Sequence, residues 1–233
     1  MRFLIAALAF AAFPPAALAR SPAPTFEAGE YITERGWGTL TLGAPSRGSQ
    51  PFAIQAVGAN AHTCDLEGSV SNGKAALEEG CVVTMVRTAS GLKVDGGEGC
   101  RSFCGARAGF EGEYLKPAPG CTSKAMTATR NAFKKLYVAK RHAEARALLE
   151  PLLGNCARTT SDYEGAGIRN DLAVTLHKLN DLAACRAVLE PLAEEARMPD
   201  EKIRDDYPPT DAEIRISIAK STRTNLKLCK SPS

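Results

Sequence analysis

The chain reads as an α+β protein in two parts, a small antiparallel β-barrel or sandwich followed by an α-helical repeat domain. Three observations carry that expectation. Before Lys116-Pro-Ala-Pro-Gly120 glycine is frequent and apolar residues tend to alternate; after it glycine thins out and Ala, Leu, Glu, Lys and Arg follow helical spacing. An eight-residue segment of the second part recurs about 40 residues on. The eight cysteines divide evenly, with Cys64, Cys81, Cys100 and Cys104 before the boundary and Cys121, Cys156, Cys185 and Cys229 after it.

The N-terminus reads as an export signal. Met1-Arg2 supplies the positive start, Phe3 to Phe13 an apolar run of about eleven residues, and Pro14-Pro15 a helix break before the small-x-small pattern Ala17-Leu18-Ala19. The run is too short for a membrane span, which needs roughly 20 apolar residues, and no later segment is long enough. The expected organisation is a signal peptide over 1–19, a disordered N-terminus over 20–25, a β domain over 26–116, a linker over 117–120 and a helical domain over 121–230. An even number of cysteines behind such a signal implies a disulfide framework, in the periplasm or secreted, with every cysteine structural.

In the first part, Phe26 to Thr33 and Phe110 to Leu115 supply the outer strands. Thr39-Leu-Thr-Leu42 alternates polar and apolar, and Phe52, Ile54 and Ala56 repeat the alternation. Cys64 to Val70 leads into Asn72-Gly73, the strongest two-residue hairpin signal. Cys81 to Val86 and Leu92 to Val94 complete seven or eight short strands. Cys64 and Cys81 flank the hairpin and are expected to pair, leaving Cys100 with Cys104, although crossing pairs stay open. Zinc is a weaker reading, since a second paired knuckle is missing, and Cys-x-x-x-Cys is not the redox Cys-x-x-Cys.

In the second part, Ala145-Arg-Ala-Leu-Leu-Glu-Pro-Leu152 returns as Cys185-Arg-Ala-Val-Leu-Glu-Pro-Leu192, with six of eight positions identical, and Leu136 matches Leu176 at the same offset. Stacked helix pairs are the expected result, because one pair alone cannot bury its apolar face. Five helices are expected, over about 123–140, 143–154, 162–179, 182–197 and 209–229, the last started by Pro208-Pro209-Thr210 and covering the second pair. Pro151 and Pro191 should kink or end their helices. The segment Thr122 to Leu192 resembles tetratricopeptide-type repeats, with small Ala145 and Cys185 at the close-contact position and Leu136 and Leu176 at a larger packing position. It exceeds the family's usual repeat length and lacks its Trp-Leu-Gly elements. In such a stack Cys121 should approach Cys156, and Cys185 should approach Cys229.

Chemistry is sparse. A net charge of +3 with interspersed signs does not favour nucleic acid. His62 lies near a strand, and His142 and His177, at matching helix ends of the repeat, read as solvated surface groups rather than ligands. Gly96-Gly97-Glu98-Gly99 lacks the Lys-Ser/Thr of a phosphate loop, and the acid pairs Glu78-Glu79 and Asp205-Asp206 read as solvent-facing. No catalytic residue, cofactor or metal is expected. Trp37, between Gly36 and Gly38, is either a core anchor or a partner-binding aromatic. Arg101 and Arg107, flanking Cys104-Gly105-Ala106, are either a solvated rim or a basic protrusion that reaches an acidic cleft. A small, exported, disulfide-stapled barrel is similar in architecture to the periplasmic lysozyme inhibitors, which insert a loop into the enzyme's carboxylate-lined cleft. Only Gly112-Glu-Tyr114 is reminiscent of their signatures, and the likeness carries over no inhibitory residue. The expected function is a non-catalytic protein-binding protein of the bacterial envelope, a scaffold or adaptor, or an inhibitor or immunity protein whose partner is a cell-wall hydrolase such as lysozyme. The alternative is a periplasmic enzyme of unrecognised type.

Overall fold

The structure is a computed structural model that describes residues 25–230; the expected signal peptide over 1–19 and the segment 20–24 lie outside them. Eight strands form one antiparallel sheet: β1 Gly29–Thr33, β2 Gly38–Leu42, β3 Gln50–Val57, β4 Thr63–Val70, β5 Lys74–Ala76, β6 Val82–Arg87, β7 Gly91–Gly96 and β8 Gly112–Leu115. Their order is β4-β3-β2-β1-β8-β7-β6-β5, so first and last strands in the chain pair at the centre. The two sheet edges, β4 and β5, are consecutive, and the sheet curls into a nearly closed barrel. Asn72 and Gly73 turn between them with φ of 52° and 73°, the left-handed pair that a two-residue hairpin requires. Ser71 and Lys74 bridge there, and beyond that pair the strands part.

Alternation places one face of each strand inside. Leu40, Ile54, Val83, Val94 and Tyr114 have no solvent exposure. The Tyr114 hydroxyl donates to Phe110 O at 2.8 Å, so the core carries no orphaned phenol. The first strand starts at Gly29, three residues later than expected from Phe26, because the backbone of Phe26 is held by the Gln50 amide instead (Phe26 N–H to Oε1 2.9 Å, Nε2–H to Phe26 O 3.1 Å).

The disulfides of the barrel correct the sequence expectation. Cys64 pairs with Cys104 and Cys81 with Cys100, so the bonds Cys64–Cys81 and Cys100–Cys104 do not form. The reason is the gap between β4 and β5. The six-residue 3-10 segment Glu98–Phe103 lies across it, with Cys100 facing the segment before β6 and Cys104 bridging Cys64 on β4. Each bond therefore ties one lip of the gap to the same strap.

The second half holds α1 Ser123–Val138, α2 His142–Asn155, α3 Asp162–Lys178, α4 Leu182–Leu189, α5 Ala193–Arg197, α6 Asp200–Asp206 and α7 Pro209–Leu228. Thr122, Ser161 and Asp181 cap α1, α3 and α4 by accepting from backbone N–H three residues on. The repeat is visible in its turns. Lys140 and Asn180 both have φ of 60°, and Arg141 and Asp181 both donate to a carbonyl five residues back at 2.9 Å. Ala145 and Cys185, and Leu149 and Leu189, are the matching fully buried pairs. Cys121 bonds Cys156 and Cys185 bonds Cys229, as the stacking of antiparallel helices requires.

Two helical details differ from the expectation. α2 runs through Pro151, whose ring is exposed, whereas at Pro191 the fourth helix narrows to a 3-10 turn over Glu190–Leu192 before α5 begins. α6 was not expected. It carries a single buried apolar residue, Ile203, in a small separate cluster with Ile216 and Ala219, so it has no periodic signal. Between α3 and α7, buried Asn170, Thr222 and Asn225 satisfy one another: the Asn170 amide N–H donates to Thr222 Oγ1 at 3.1 Å, and Asn225 Nδ2 donates to the Asn170 carboxamide oxygen at 2.8 Å. A network satisfied in this way fixes one register.

The barrel docks on the N-terminal ends of α1, α3 and α7. Ser123 at the start of α1 donates from N–H and Oγ to Glu30 Oε1 (2.7 and 2.9 Å). Arg35 pairs with Asp162 in the first turn of α3 and donates its N–H to Arg158 O at 2.8 Å. α7 begins Pro208-Pro209 and has no side-chain cap of its own. The barrel supplies one: Asn60 Oδ1 accepts from Thr210 N–H at 3.0 Å, and Asp211 Oδ2 accepts from Asn60 N–H at 2.8 Å.

Peptide mapping under non-reducing conditions is expected to recover Cys64–Cys104 and Cys81–Cys100, and removing the Cys64–Cys104 pair as a double alanine variant should cost about 2–4 kcal/mol in urea unfolding. Asn60 has φ of 59°, so Asn60→Gly keeps the backbone conformation and deletes only the cap; its expected cost is about 1 kcal/mol.

Candidate binding cleft between the barrel and the helices

Where the barrel rim and the helix ends do not touch, a cleft of about 730 Å³ remains. Glu34 to Trp37 and Val57 to Ala59 line it from the barrel, Ser161 to Tyr163 from α3, and Asp211 and Arg215 from α7. Gly36 makes the approach possible. Its φ is 62°, and a Cβ there would sit 2.7 Å from both Thr159 O and Ser161 N, so only glycine lets the two backbones meet.

Trp37 packs against the barrel core and also reaches the cleft. Its indole packs edge-on against Tyr114, with centroids 6.2 Å apart, and over Gly112, where a Cβ would lie 3.2 Å from Cζ2. The part of the ring that stays exposed lines the cleft. Beside it Val57, at an outward position of the alternating strand β3, is 54% exposed, and Tyr163 forms the opposite aromatic wall. A second hollow of about 360 Å³ adjoins along Ser161 to Tyr163 and continues over Leu192 and Ile218.

Arg215 is the hinge of the helical wall. Its guanidinium lies 4.1 Å from the Tyr207 ring centroid and 5.4 Å from that of Tyr163, and Nη1 donates to both Glu195 carboxylate oxygens at 3.0 and 3.2 Å. Burial disfavours its charge, but the Glu195 hydrogen bonds and charge outweigh burial and raise its pKa above the ordinary value. For the Tyr163 phenol burial acts in the upward direction, against the opposing pull of Arg215, so it stays a neutral hydroxyl that donates to Asp211 Oδ1 at 3.4 Å.

With Arg35 paired to Asp162, Arg215 to Glu195 and Arg158 beside Glu34, the lining carboxylate with no ion pair among the described residues is Asp211. Asp211 is met by two neutral donors, Asn60 N–H and the Tyr163 hydroxyl. Glu34 is exposed, with Arg158 3.9 Å away. The cleft therefore offers aromatic and aliphatic walls with an excess of negative charge, which suits a basic side chain with an apolar stem. Among the described residues, no group of three or more His, Cys, Asp or Glu is placed to hold a metal ion.

Arg101 and Arg107 lie elsewhere. Both are exposed on the loop between β7 and β8, outside the cleft lining. The backbone at Arg107 does back onto the cleft wall, since a Cβ on Gly58 would meet Arg107 O at 2.0 Å. His142 packs on Tyr137 at 5.1 Å and His62 is half-buried. His177 is buried rather than solvated, because α3 is the central helix, flanked by α2, α4 and α7. Tyr163, Asp211 and Arg215 were missed because no local pattern links residues that meet only when the halves dock.

Arg215→Lys is expected to lower stability by about 1–2 kcal/mol in urea unfolding, since an ammonium can neither fork across Glu195 nor stack between two rings. Comparison of the chain with protein-family models, curated proteins and solved structures finds no match.

Proposed function

We propose that the chain is an exported, non-catalytic protein-binding protein of the bacterial envelope, a scaffold or adaptor that grips a basic segment of its partner between barrel and helices. The cleft carries this reading. Its volume is that of sites holding a few side chains or a small molecule, and it pairs Trp37 and Tyr163 with the carboxylates of Asp211 and Glu34. Its walls are pre-ordered by disulfides and helix caps, which reduces the entropy lost on binding.

Two further features support it. Four disulfides are typical of chains that mature outside the reducing cytosol, in keeping with the export signal read from the sequence. The helical half resembles tetratricopeptide-type arrays, whose stacked pairs offer protein-binding surfaces. A sharper form, inhibition of a cell-wall hydrolase such as lysozyme, draws on the strap that carries Arg101 and leads to Arg107: it is tied at Cys100 and Cys104, so its exposed arginines are held ready for an acidic groove.

Trp37 is the sole tryptophan of the chain, so its emission reports on the cleft directly. A partner captured from periplasmic extract is expected to change that emission, and Tyr163→Ala should weaken its binding about 30-fold, as for a central aromatic anchor. Equal affinity for the wild type and Tyr163→Ala would remove the cleft as the site. In a lysozyme assay of the wild type, absence of inhibition would remove only the sharper form.

A further inference from the structure

The end of the helical half that points away from the barrel has a composition the protein-binding reading does not use. α1, α3 and α7 run parallel. Arg130 of α1 reaches Asp171 of α3 at 3.3 Å, Tyr163 meets Asp211, and Asn170 meets Thr222 and Asn225, so equivalent turns lie side by side. The Cys185–Cys229 bond closes the end of α7 onto the start of α4, which follows directly on the end of α3. With all three N-termini against the barrel, all three C-termini emerge together at the opposite end.

That end displays Val138, 81% exposed, with Leu179 at 36% and Leu228 at 40%. Single exposed aliphatics are ordinary; three at the tips of neighbouring helices are a patch. Around them Lys135, Lys140, Lys178, Lys227 and Lys230 are exposed, and none forms an ion pair among the described residues. The nearby acids are already engaged, Glu144 by Arg141 and Asp181 by Arg146.

Lysines at helix C-termini serve partly to offset the helix dipoles. Three C-termini at roughly −0.5 charge each sum to about −1.5, and five lysines exceed that by more than three charges. The dipoles also give no reason for the aliphatic side chains. Protruding apolar residues ringed by lysines match a bilayer interface, where the aliphatics enter the headgroup boundary and the ammonium groups meet lipid phosphates. A second copy of the chain does not fit, because two such ends would repel. No helix among the described residues is long and apolar enough to cross a membrane.

We propose that this end seats the protein on an anionic phospholipid surface, leaving the barrel and the cleft facing away from it. The test is co-sedimentation of the oxidised full chain with vesicles of phosphatidylglycerol and phosphatidylcholine, against vesicles of phosphatidylcholine alone. Partition is expected only with the anionic vesicles and should fall as salt is raised. At about fivefold per lysine, Lys178→Gln with Lys227→Gln should weaken it about 25-fold, and Val138→Ser should weaken it further. All three positions are exposed, so the thermal midpoint should not move. Tyr163→Ala, which disables the cleft, should leave partition unchanged and so separates this proposal from the protein-binding one. Absence of partition into anionic vesicles, including the case in which the end binds an acidic protein instead, would overturn the proposal. So would partition that is indifferent to the lysine substitutions.

Discussion

The docking of three helix N-termini on one rim of the barrel is the constraint from which the other features follow. A helix leaves four N–H groups unpaired at its start and concentrates positive potential there. Here the barrel answers with Glu30 at α1 and Asn60 at α7, and places Arg35 over the first-turn Asp162 of α3. The Arg35–Asp162 pair is exposed and contributes little by itself. The backbone contacts matter more: Gly36 against Thr159 and Ser161 allows no side chain between them, and α7, opened by two prolines, has no other cap. The cleft is the space left where this docking surface is incomplete, so its shape is set by the same contacts that hold the halves together.

The disulfides solve different problems in the two halves. In the barrel the ladder fails between β4 and β5, and an open edge invites pairing with other chains. The strap over Glu98–Phe103, bonded to both lips, covers that edge with a segment that needs no strand partner. Among the helices no edge exists, and each bond instead pins a helix end: Cys121 fixes where α1 begins and Cys229 where α7 stops.

The architecture was legible in the sequence wherever a local period carried it. Alternation marked the strands, Asn72-Gly73 the turn, and the recurrence of Arg-Ala-x-Leu-Glu-Pro-Leu the helix pairs. The helical disulfides followed, because antiparallel stacking leaves one pairing that spans neighbouring ends. The barrel pairing did not follow, because it depends on a strap crossing a gap that no periodicity announces. α6 was invisible for want of a second buried residue. The cleft was legible at one position only. Trp37 stood out as the sole tryptophan, flanked by glycines that the structure explains, Gly36 by the helix backbone beside it and Gly38 by Tyr114 and Thr33, which a Cβ would crowd. Tyr163, Asp211 and Arg215 are ordinary residues of amphipathic helices until the barrel arrives beside them.

α7 connects the two surfaces argued for above. Its first turns give Asp211 and Arg215 to the cleft, and its last turn gives Lys227 and Leu228 to the far end. Between them the Thr222 and Asn225 contacts with Asn170 are buried and satisfied, so a one-residue slip would strand polar groups in the core at a cost of about 1–3 kcal/mol each. The helix therefore acts as a strut of fixed register. Its 20 residues span about 30 Å at roughly 1.5 Å per residue. With its C-terminal tip on a lipid surface, a partner in the cleft would be held about that far above the headgroups, a distance set by one helix and by no flexible linker.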